Sequence, residues 1–142
     1  MAAALMHSVT IEGDAERIYQ AISTGEGLAS FWTRDSQAEP RVGSIAKFGF
    51  GGPVLEMKVE ELTPGKLVRW SAHAGFPGWE NTTVSWEIAA AKDGGQELRF
   101  SHEGWPAELP QAELASVNYT WGQVVGRLKK YAETGKPDPY FA

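Results

Sequence analysis

A chain of 142 residues with 42% hydrophobic and 22% charged residues has the composition of an ordinary globular domain. Its net charge of −5 argues against a nucleic-acid partner, and the lack of cysteine excludes disulfides, thiol nucleophiles and thiolate metal sites. No apolar run reaches the length of a membrane span, about 18 residues, and residues 1–6 lack the basic start of a signal peptide. We therefore expect one cytoplasmic domain over residues 1–142, with no membrane partner.

The start of the chain predicts a strand and two short helices. Val9 and Ile11 alternate with polar residues, as is typical of a strand with one buried face. Asp14 then suits the N-cap of a short helix, because its carboxylate can accept hydrogen bonds from N–H groups of the first turn. We expect this helix to end in the glycine-containing segment 24–27, and residues 28–32 to form a second short helix.

The middle of the chain predicts a loop followed by hairpin-linked strands. Residues 33–44 are polar and contain a proline and a glycine, which indicates a loop with an irregular edge strand. From residue 45 onward, apolar and polar side chains alternate, and turns rich in Gly and Pro separate the runs. The apolar faces carry Ala46, Phe48 and Phe50; Leu55, Met57 and Val59; Val68, Trp70, Ala72 and Ala74; Val84, Trp86 and Ile88; and Leu98, Phe100 and His102.

The end of the chain predicts one long amphipathic helix over residues 110–134. Pro110 suits its first turn, and Gly135 supplies a stop. Gly122 and Gly126 flank the apolar stripe, and since glycine costs a helix about 1 kcal/mol against alanine, we expect another element to pack closely on both. The stripe recurs at spacings of three and four and consists of Leu114, Val117, Trp121, Val124, Val125, Leu128, Tyr131 and Ala132.

Strands that lie between helices in the chain predict an α+β fold. We expect a curved antiparallel sheet of about six to seven strands, wrapped around the long C-terminal helix, with two short helices after the first strand. Each strand keeps one apolar face, and that face has to be buried against the helix. The space left between sheet and helix then depends on how the bulky inward-facing side chains pack.

Several short motifs, taken together in their order and spacing, resemble those of a known protein family. They are residues 15–22, 27–32, 40–43, 59–64, 66–70, 84–88, 93–95 and 98–102, followed by the pair Trp121-Gly122. They are similar to motifs of the START-like, or SRPBCC, helix-grip superfamily, which includes the birch-pollen-allergen fold. Within it the chain resembles the branch named after the C-terminal domain of the heat-shock protein 90 ATPase activator homologue.

The resemblance implies the helix-grip architecture and a cavity between sheet and helix. Members of the superfamily bind lipids, hormones and polyketides, and some cyclise or dehydrate their substrates. A shared fold does not by itself define a reaction, so the function has to be argued from the site. The sequence departs from the family pattern at Phe31-Trp32, where a tryptophan-rich run is usual, and at Gly65, where a second proline is common. Neither departure affects the fold.

The sequence contains no motif for catalysis, metal binding or phosphate binding. His7, His73 and His102 are isolated from one another, without the spacing of metal ligands. No serine lies between the two glycines of a nucleophile elbow, and the glycines near residue 50 lead into no helix, unlike those of a phosphate-binding loop. We therefore assign no catalytic residue, no metal site and no cofactor.

The aromatic residues that face inward form the candidate ligand-binding site. Rings of this size either fill the grip or line an apolar pocket, and the sequence leaves both open. Two polar residues accompany them, and each either bonds backbone groups in a packed core or orients a polar group of a ligand. The full candidate set for the cavity is Trp32, Phe48, Phe50, Met57, Trp70, Trp86, Phe100, His102, Asn118 and Trp121. Burial should lower the pKa of His102.

Three functions are compatible with the sequence. The leading one is a small soluble protein that holds a hydrophobic or amphipathic small molecule between the sheet and the helix. The alternative is a cyclase- or dehydratase-like enzyme for a polyketide-type or aromatic substrate, in which His102 and Asn118 would have to converge. The third, implied by the resemblance alone, is a chaperone-associated role, although we expect no counterpart of the larger family protein's partner-binding region. The sequence leaves a homodimer open.

Overall fold

The computed structural model describes residues 4–142, and within that range it contains seven strands and three helices. Our expectation about the opening segment falls partly on residues 1–3, which lie outside the described residues. In chain order the elements are β1 (Leu5–Ile11), α1 (Ala15–Ser23), α2 (Gly25–Phe31), β2 (Asp35–Gln37), β3 (Ile45–Gly49), β4 (Val54–Thr63), β5 (Leu67–Ala74), β6 (Thr83–Ala90), β7 (Gln96–Glu103) and α3 (Gln111–Thr134).

The seven strands form one curled antiparallel sheet in the order β1-β7-β6-β5-β4-β3-β2. Strands β3 to β7 follow one another as hairpins, whereas β1 pairs with β7 and closes the opposite edge. Register shifts between β4 and β5, next to Glu56 and Val59, add local twist to the sheet. This architecture confirms the predicted α+β fold with two short helices after the first strand and one long helix at the end.

The two short helices meet at Thr24. Asp14 caps α1, as predicted. The hydroxyl of Thr24 accepts a hydrogen bond from the N–H of Gly27 at 3.0 Å, so α2 begins at Gly25, inside the segment that we expected to be a break. Gly27 is needed there because a Cβ would overlap the backbone of Ala21, where the two helices cross. Gly27 therefore allows close packing of α2 on α1.

Helix α3 buries its apolar stripe only from Trp121 onward. No side chain of residues 111–120 is fully buried, and Val117 and Leu114 stay partly exposed. Gly135 ends the helix in the left-handed conformation at φ 75° and donates its N–H to the carbonyl of Tyr131 at 2.7 Å. No helix described between residues 4 and 142 is long and apolar enough to cross a membrane. The buried residues of α3 are Trp121, Val124, Val125, Leu128 and Ala132.

The two glycines of α3 have different surroundings. A Cβ at Gly122 would lie 3.2 Å from Cε1 of His7, so this glycine lets β1 approach the helix closely. At Gly126 no described atom lies within 4 Å of such a Cβ. The predicted close packing is therefore confirmed for Gly122 and wrong for Gly126, which lies on the exposed side of the helix.

The centre of the grip is filled by aromatic rings. The ring centroids of Trp32 and Phe48 are 4.3 Å apart, and those of Phe48 and Trp70 are 5.5 Å apart. Phe100 lies 4.5 Å from the ring of Trp121, so the helix contacts the sheet directly through aromatic side chains. Rings at these distances are in van der Waals contact and leave no room for a ligand between them.

The segment after α3 returns along the end of α2 and was not predicted. Backbone N–H groups of Asp138 and Phe141 donate to the carbonyls of Ser30 and Trp32, both at 2.8 Å. Residues 136–142, which we call the C-terminal tail, therefore run beside residues 30–34. As a result, the ring of Phe141 lies beside that of Phe50, with 5.0 Å between the two ring centroids.

Arg127 of α3 holds the tail in place. Its Nη1 donates to the backbone carbonyl of Asp138 at 3.0 Å and lies 3.1 Å from the Oδ1 of the same residue. The guanidinium carbon also lies 5.6 Å from the ring centroid of Tyr140, a cation–π arrangement. One arginine thus links the middle of the long helix to the end of the chain.

Candidate functional site

An apolar cavity of about 290 Å³ lies where the first half of α3 passes over the aromatic core. Besides α3, four parts of the chain enclose it: the end of α2, the turn after β3, the loop between β5 and β6, and the C-terminal tail. The nearly buried rings of Trp32 and Trp121 form its inner surface, and their centroids are 5.0 Å apart. The residues that line this apolar cavity are Trp32, Phe50, Phe76, Trp79, Ser116, Val117, Thr120, Trp121 and Phe141.

Contacts between rings position the outer wall of the cavity. Phe76 and Trp79 belong to the loop between β5 and β6, and their rings meet edge to face at 5.1 Å. Phe50 contacts Phe76 at 5.4 Å and Phe141 of the tail at 5.0 Å. A backbone hydrogen bond of 3.0 Å from the N–H of Phe50 to the carbonyl of Pro53 fixes the turn that carries it. Three segments distant in sequence therefore build one aromatic wall.

The chemistry of the cavity is almost entirely apolar. None of its nine lining residues carries a charge, and only Ser116 and Thr120 have a hydroxyl group. The hydroxyl of Thr120 donates to the carbonyl of Ser116 at 3.0 Å, within the helix. Pockets with mainly apolar walls and a few polar groups are typical of small-molecule sites, so this cavity is the candidate site.

The structure brings only part of the predicted site together at this cavity. Three of the ten predicted residues line it, namely Trp32, Phe50 and Trp121. Six others belong to the packed core, where their rings and chains touch one another and leave no cavity between them: Phe48, Met57, Trp70, Trp86, Phe100 and His102. The inward direction of these side chains follows from strand alternation, but the space at each position depends on contacts across the sheet.

The placement of Asn118 at the cavity was wrong. Its side chain is exposed, and only Ser116, Val117, Thr120 and Trp121 of α3 reach the cavity. The physical reason is that the first half of α3 covers the cavity with a narrow stripe, so a residue at the border of the stripe faces solvent. The cyclase-like alternative required His102 and Asn118 to converge in the cavity, and these two residues do not.

His102 is a fully buried, neutral imidazole directly behind the cavity. Its Nδ1 accepts a hydrogen bond from the indole Nε1–H of Trp121 at 3.0 Å. Its backbone carbonyl accepts another from the indole of Trp105, also at 3.0 Å. Burial lowers the pKa of His102 to about 3, as expected for a desolvated imidazole with no acid beside it. The group is therefore uncharged at neutral pH.

Sequence reasoning missed three aromatic residues of the cavity: Phe76, Trp79 and Phe141. Phe76 lies in the Gly- and Pro-containing segment 75–78, which we interpreted only as an interruption between strands, and Trp79 follows it directly. Large apolar side chains are unusual in such a turn, and this was the available signal. For Phe141 no periodic pattern exists, because the tail is neither helix nor regular strand.

Two further concavities are less suited to an apolar ligand. One, of about 210 Å³, lies between α1, α2 and the end of α3 and includes Arg17 and Glu26. The other, of about 550 Å³, lies on the far side of the tail and includes Arg34 and Asp35. Among the residues described, 4–142, no group of three or more His, Asp or Glu residues could hold a metal ion.

Comparison with known proteins identifies the family of the chain. Residues 13–133 match the family model described as activator of Hsp90 ATPase homolog 1-like protein. A comparison with functionally curated proteins finds no match. The solution structure of the Aha1 dimer from Colwellia psychrerythraea has 32% sequence identity and a TM-score of 0.84, covering 94% of this chain and 98% of that chain.

More distant structures share the fold. DynU16, from the dynemicin biosynthetic locus, is 23% identical with a TM-score of 0.77, and the match covers 96% of this chain and 49% of that chain. Protein MLL2253 from Mesorhizobium loti is 17% identical with a TM-score of 0.77, over 90% of this chain and 95% of that one. Because the family model spans most of the sequence, the chain belongs to the activator of Hsp90 ATPase homolog 1-like family, within the SRPBCC helix-grip superfamily.

Proposed function

We propose that this protein is a small cytoplasmic binding protein that holds a hydrophobic or amphipathic small molecule in the apolar cavity. The observation that carries the proposal is the lining itself: nine uncharged residues, of which six are aromatic. A contiguous surface of aromatic side chains, open at the end of an otherwise closed core, is typical of a ligand-binding or interaction site. A ligand would complete their burial.

The dimensions of the cavity favour a compact ligand. Its volume of about 290 Å³ lies just below the usual range of about 300–1,000 Å³ for ligand pockets. The centre of the grip behind it is filled by Trp70, Trp86 and Phe100, so a long acyl chain finds no tunnel there. A flat ring system can instead pack face to edge against the aromatic walls. We therefore infer a ligand with a body of about two fused rings.

A calorimetric titration with naphthalene tests the proposal. We expect binding with a negative heat-capacity change, because apolar surface is removed from water on both partners. The variant Val117→Trp should weaken binding at least about tenfold, since a larger side chain at this position fills the cavity.

The matched control for this titration is Ala115→Trp, which adds the same ring to the exposed side of the same helix. Its affinity for naphthalene should equal that of the wild type. Failure of the wild type to bind naphthalene, or equal binding by Val117→Trp, would contradict the proposed function.

A second candidate function is an interaction with a chaperone of the Hsp90 type. It is favoured by the 32% identity, over 94% of the chain, with a protein named Aha1. Adding the full chain to a purified Hsp90 and measuring ATP hydrolysis separates the two functions. An increase that also occurs in Val117→Trp would support a chaperone role independent of the cavity.

We also propose that the chain forms a homodimer, as the similar Colwellia psychrerythraea protein is described as a dimer. Light scattering during size-exclusion chromatography should then give twice the mass of one chain, which is 15.5 kDa. A single species with the mass of one chain at high concentration would exclude the homodimer.

A further inference from the structure

We propose that His102 is a concealed ligand-binding residue, whose Nε2–H donates a hydrogen bond to an acceptor oxygen of an aromatic ligand once the ring of Trp79 turns aside. This inference rests on the proposed function, because it concerns the ligand of the same cavity. It assigns a chemical class to that ligand: a fused aromatic ring system that carries a carbonyl group.

The imidazole of His102 lies one ring behind the cavity wall. Trp121, which lines the cavity, is bonded to its Nδ1 at 3.0 Å. Trp79, which also lines the cavity, packs against the imidazole at a centroid distance of 4.6 Å and an interplanar angle of 74°. The imidazole also contacts Trp105 at 4.2 Å, and the ring of Trp105 lies 5.5 Å from that of Trp79. The imidazole is therefore separated from the cavity by the thickness of single indole rings.

The remaining ring nitrogen of His102 is a donor without an acceptor. An indole N–H can only donate, so the hydrogen bond from Trp121 requires that Nδ1 carry no proton. In the neutral imidazole the proton then lies on Nε2. Among the described residues Nε2 has no hydrogen-bond partner, although the residue is completely buried. Buried polar groups nearly always have partners, and an exception of this kind often marks a functional group.

Of the three indoles around His102, Trp79 is the one that can move. Trp105 and Trp121 are almost completely buried, and each donates a hydrogen bond from its indole nitrogen. Trp79 lies in the loop between β5 and β6 and is partly exposed. Its backbone is fixed by Thr82, whose N–H and hydroxyl both donate to the carbonyl of Trp79, at 2.9 and 2.7 Å. In the proposed bound state its ring rotates away from His102 while the loop keeps its conformation.

The surroundings of the donor determine which acceptor would fit. No charged side chain lines the cavity, so an anionic group would lose its hydration without a cation to replace it. A neutral carbonyl oxygen can be satisfied by one donor, such as Nε2–H, and has a smaller cost of burial than an anion. The rest of such a ligand would lie against the aromatic walls. A planar aryl ketone therefore fits better than a fatty acid or a sugar.

Two naphthalene derivatives of similar shape test the inference by calorimetry: 1-acetylnaphthalene, which has a carbonyl, and 1-isopropylnaphthalene, which has none. After correction for the different free energies of transfer of the two compounds out of water, the wild type should bind the ketone about 3- to 10-fold more tightly than the hydrocarbon. In His102→Phe this preference should disappear, so that the ratio of the two affinities falls to the value expected from transfer out of water alone. An unchanged preference in the variant would overturn the inference.

A measurement on the wild type covers the case in which His102→Phe does not fold. In protein labelled with ¹⁵N at histidine, the Nε2 resonance of His102 should shift on addition of the ketone and stay in place with the hydrocarbon. If both compounds bind equally and the resonance does not move, His102 takes no part in binding, and the proposed function stands without it. If neither compound binds, the inference and the proposed function fail together.

Discussion

At the scale of single residues, His102 should make the stability of the protein depend on pH. Burial lowers its pKa from 6.5 to about 3 in the folded state, so between these values only the unfolded state binds the proton. The contribution of neutral, buried His102 to the free energy of unfolding is therefore fully present above pH 6.5 and is lost as the pH falls towards 3. The free energy of unfolding should decrease by up to about 1.4 kcal/mol per pH unit below pH 6.

Urea denaturation between pH 5 and pH 7 measures this dependence. This pH range avoids the titration of carboxylates such as Glu133. Hydrogen bonds from the backbone N–H of Glu12 and from Lys129 lower the pKa of Glu133, so its titration affects stability only below the ordinary pKa of 4.5. In His102→Gln the dependence should be absent, and in the control His73→Gln, at an exposed imidazole, it should be retained. A flat profile in the wild type would show that His102 is accessible to solvent.

Trp121 is the residue that joins helix and sheet. Its ring lies 5.0 Å from Trp32, 5.9 Å from Trp86 and 4.5 Å from Phe100, and its indole nitrogen bonds His102. Trp121→Ala would remove a buried ring and should cost about 3–5 kcal/mol of unfolding free energy. A loss of less than about 1 kcal/mol in chemical denaturation would contradict a core centred on this residue.

At the scale of elements, the two glycines of α3 form a matched pair. Alanine favours a helix over glycine by about 1 kcal/mol, and Gly126 faces open space, so Gly126→Ala should stabilise the protein by up to that amount. At Gly122 a Cβ would press on the ring of His7 at 3.2 Å. Gly122→Ala should therefore be less stable than Gly126→Ala. Equal gains in thermal denaturation would mean that β1 and α3 are not in close contact at Gly122.

The connection between α3 and the tail depends on Arg127. Arg127 forms an ion pair with Asp138 that is partly exposed, and such pairs contribute little to global stability. Arg127→Gln should therefore leave the unfolding free energy almost unchanged but increase hydrogen exchange at the amides of Tyr140 and Phe141. Lys130→Gln, on the exposed side of the same helix, is the control. Unchanged exchange in Arg127→Gln would show that backbone bonds alone hold the tail.

At the scale of the whole molecule, the sequence predicted the elements better than the site. Alternation of apolar residues is a local property, so the strands and the direction of Phe48, Trp70 and Phe100 could be predicted correctly. Whether the space in front of these rings is open depends on contacts such as that between Trp32 and Phe48, which are distant in sequence. The cavity therefore could not be located from periodicity.

The cavity residues that were missed lie outside the periodic segments of the sequence. Phe76 and Trp79 lie in a loop, and Phe141 in the tail, where no repeating pattern indicates which side of a chain is buried. Their contribution becomes visible only when the sheet, the helix and the tail are assembled. The error at Asn118 is the opposite one. The helical pattern predicted that Asn118 lies at the border of the apolar stripe, but it could not show how wide a surface α3 covers, and Asn118 is exposed.

A crystal structure of the protein with 1-acetylnaphthalene tests the central claim of a ligand-binding cavity most directly. We predict density for the ring system between Trp121, Val117 and Phe76, with the ring of Trp79 turned and the carbonyl oxygen within hydrogen-bond distance of His102 Nε2. Density for the rings without that hydrogen bond would support the cavity alone. An empty cavity at saturating concentration of the compound, with the aromatic walls unmoved, would contradict the claim.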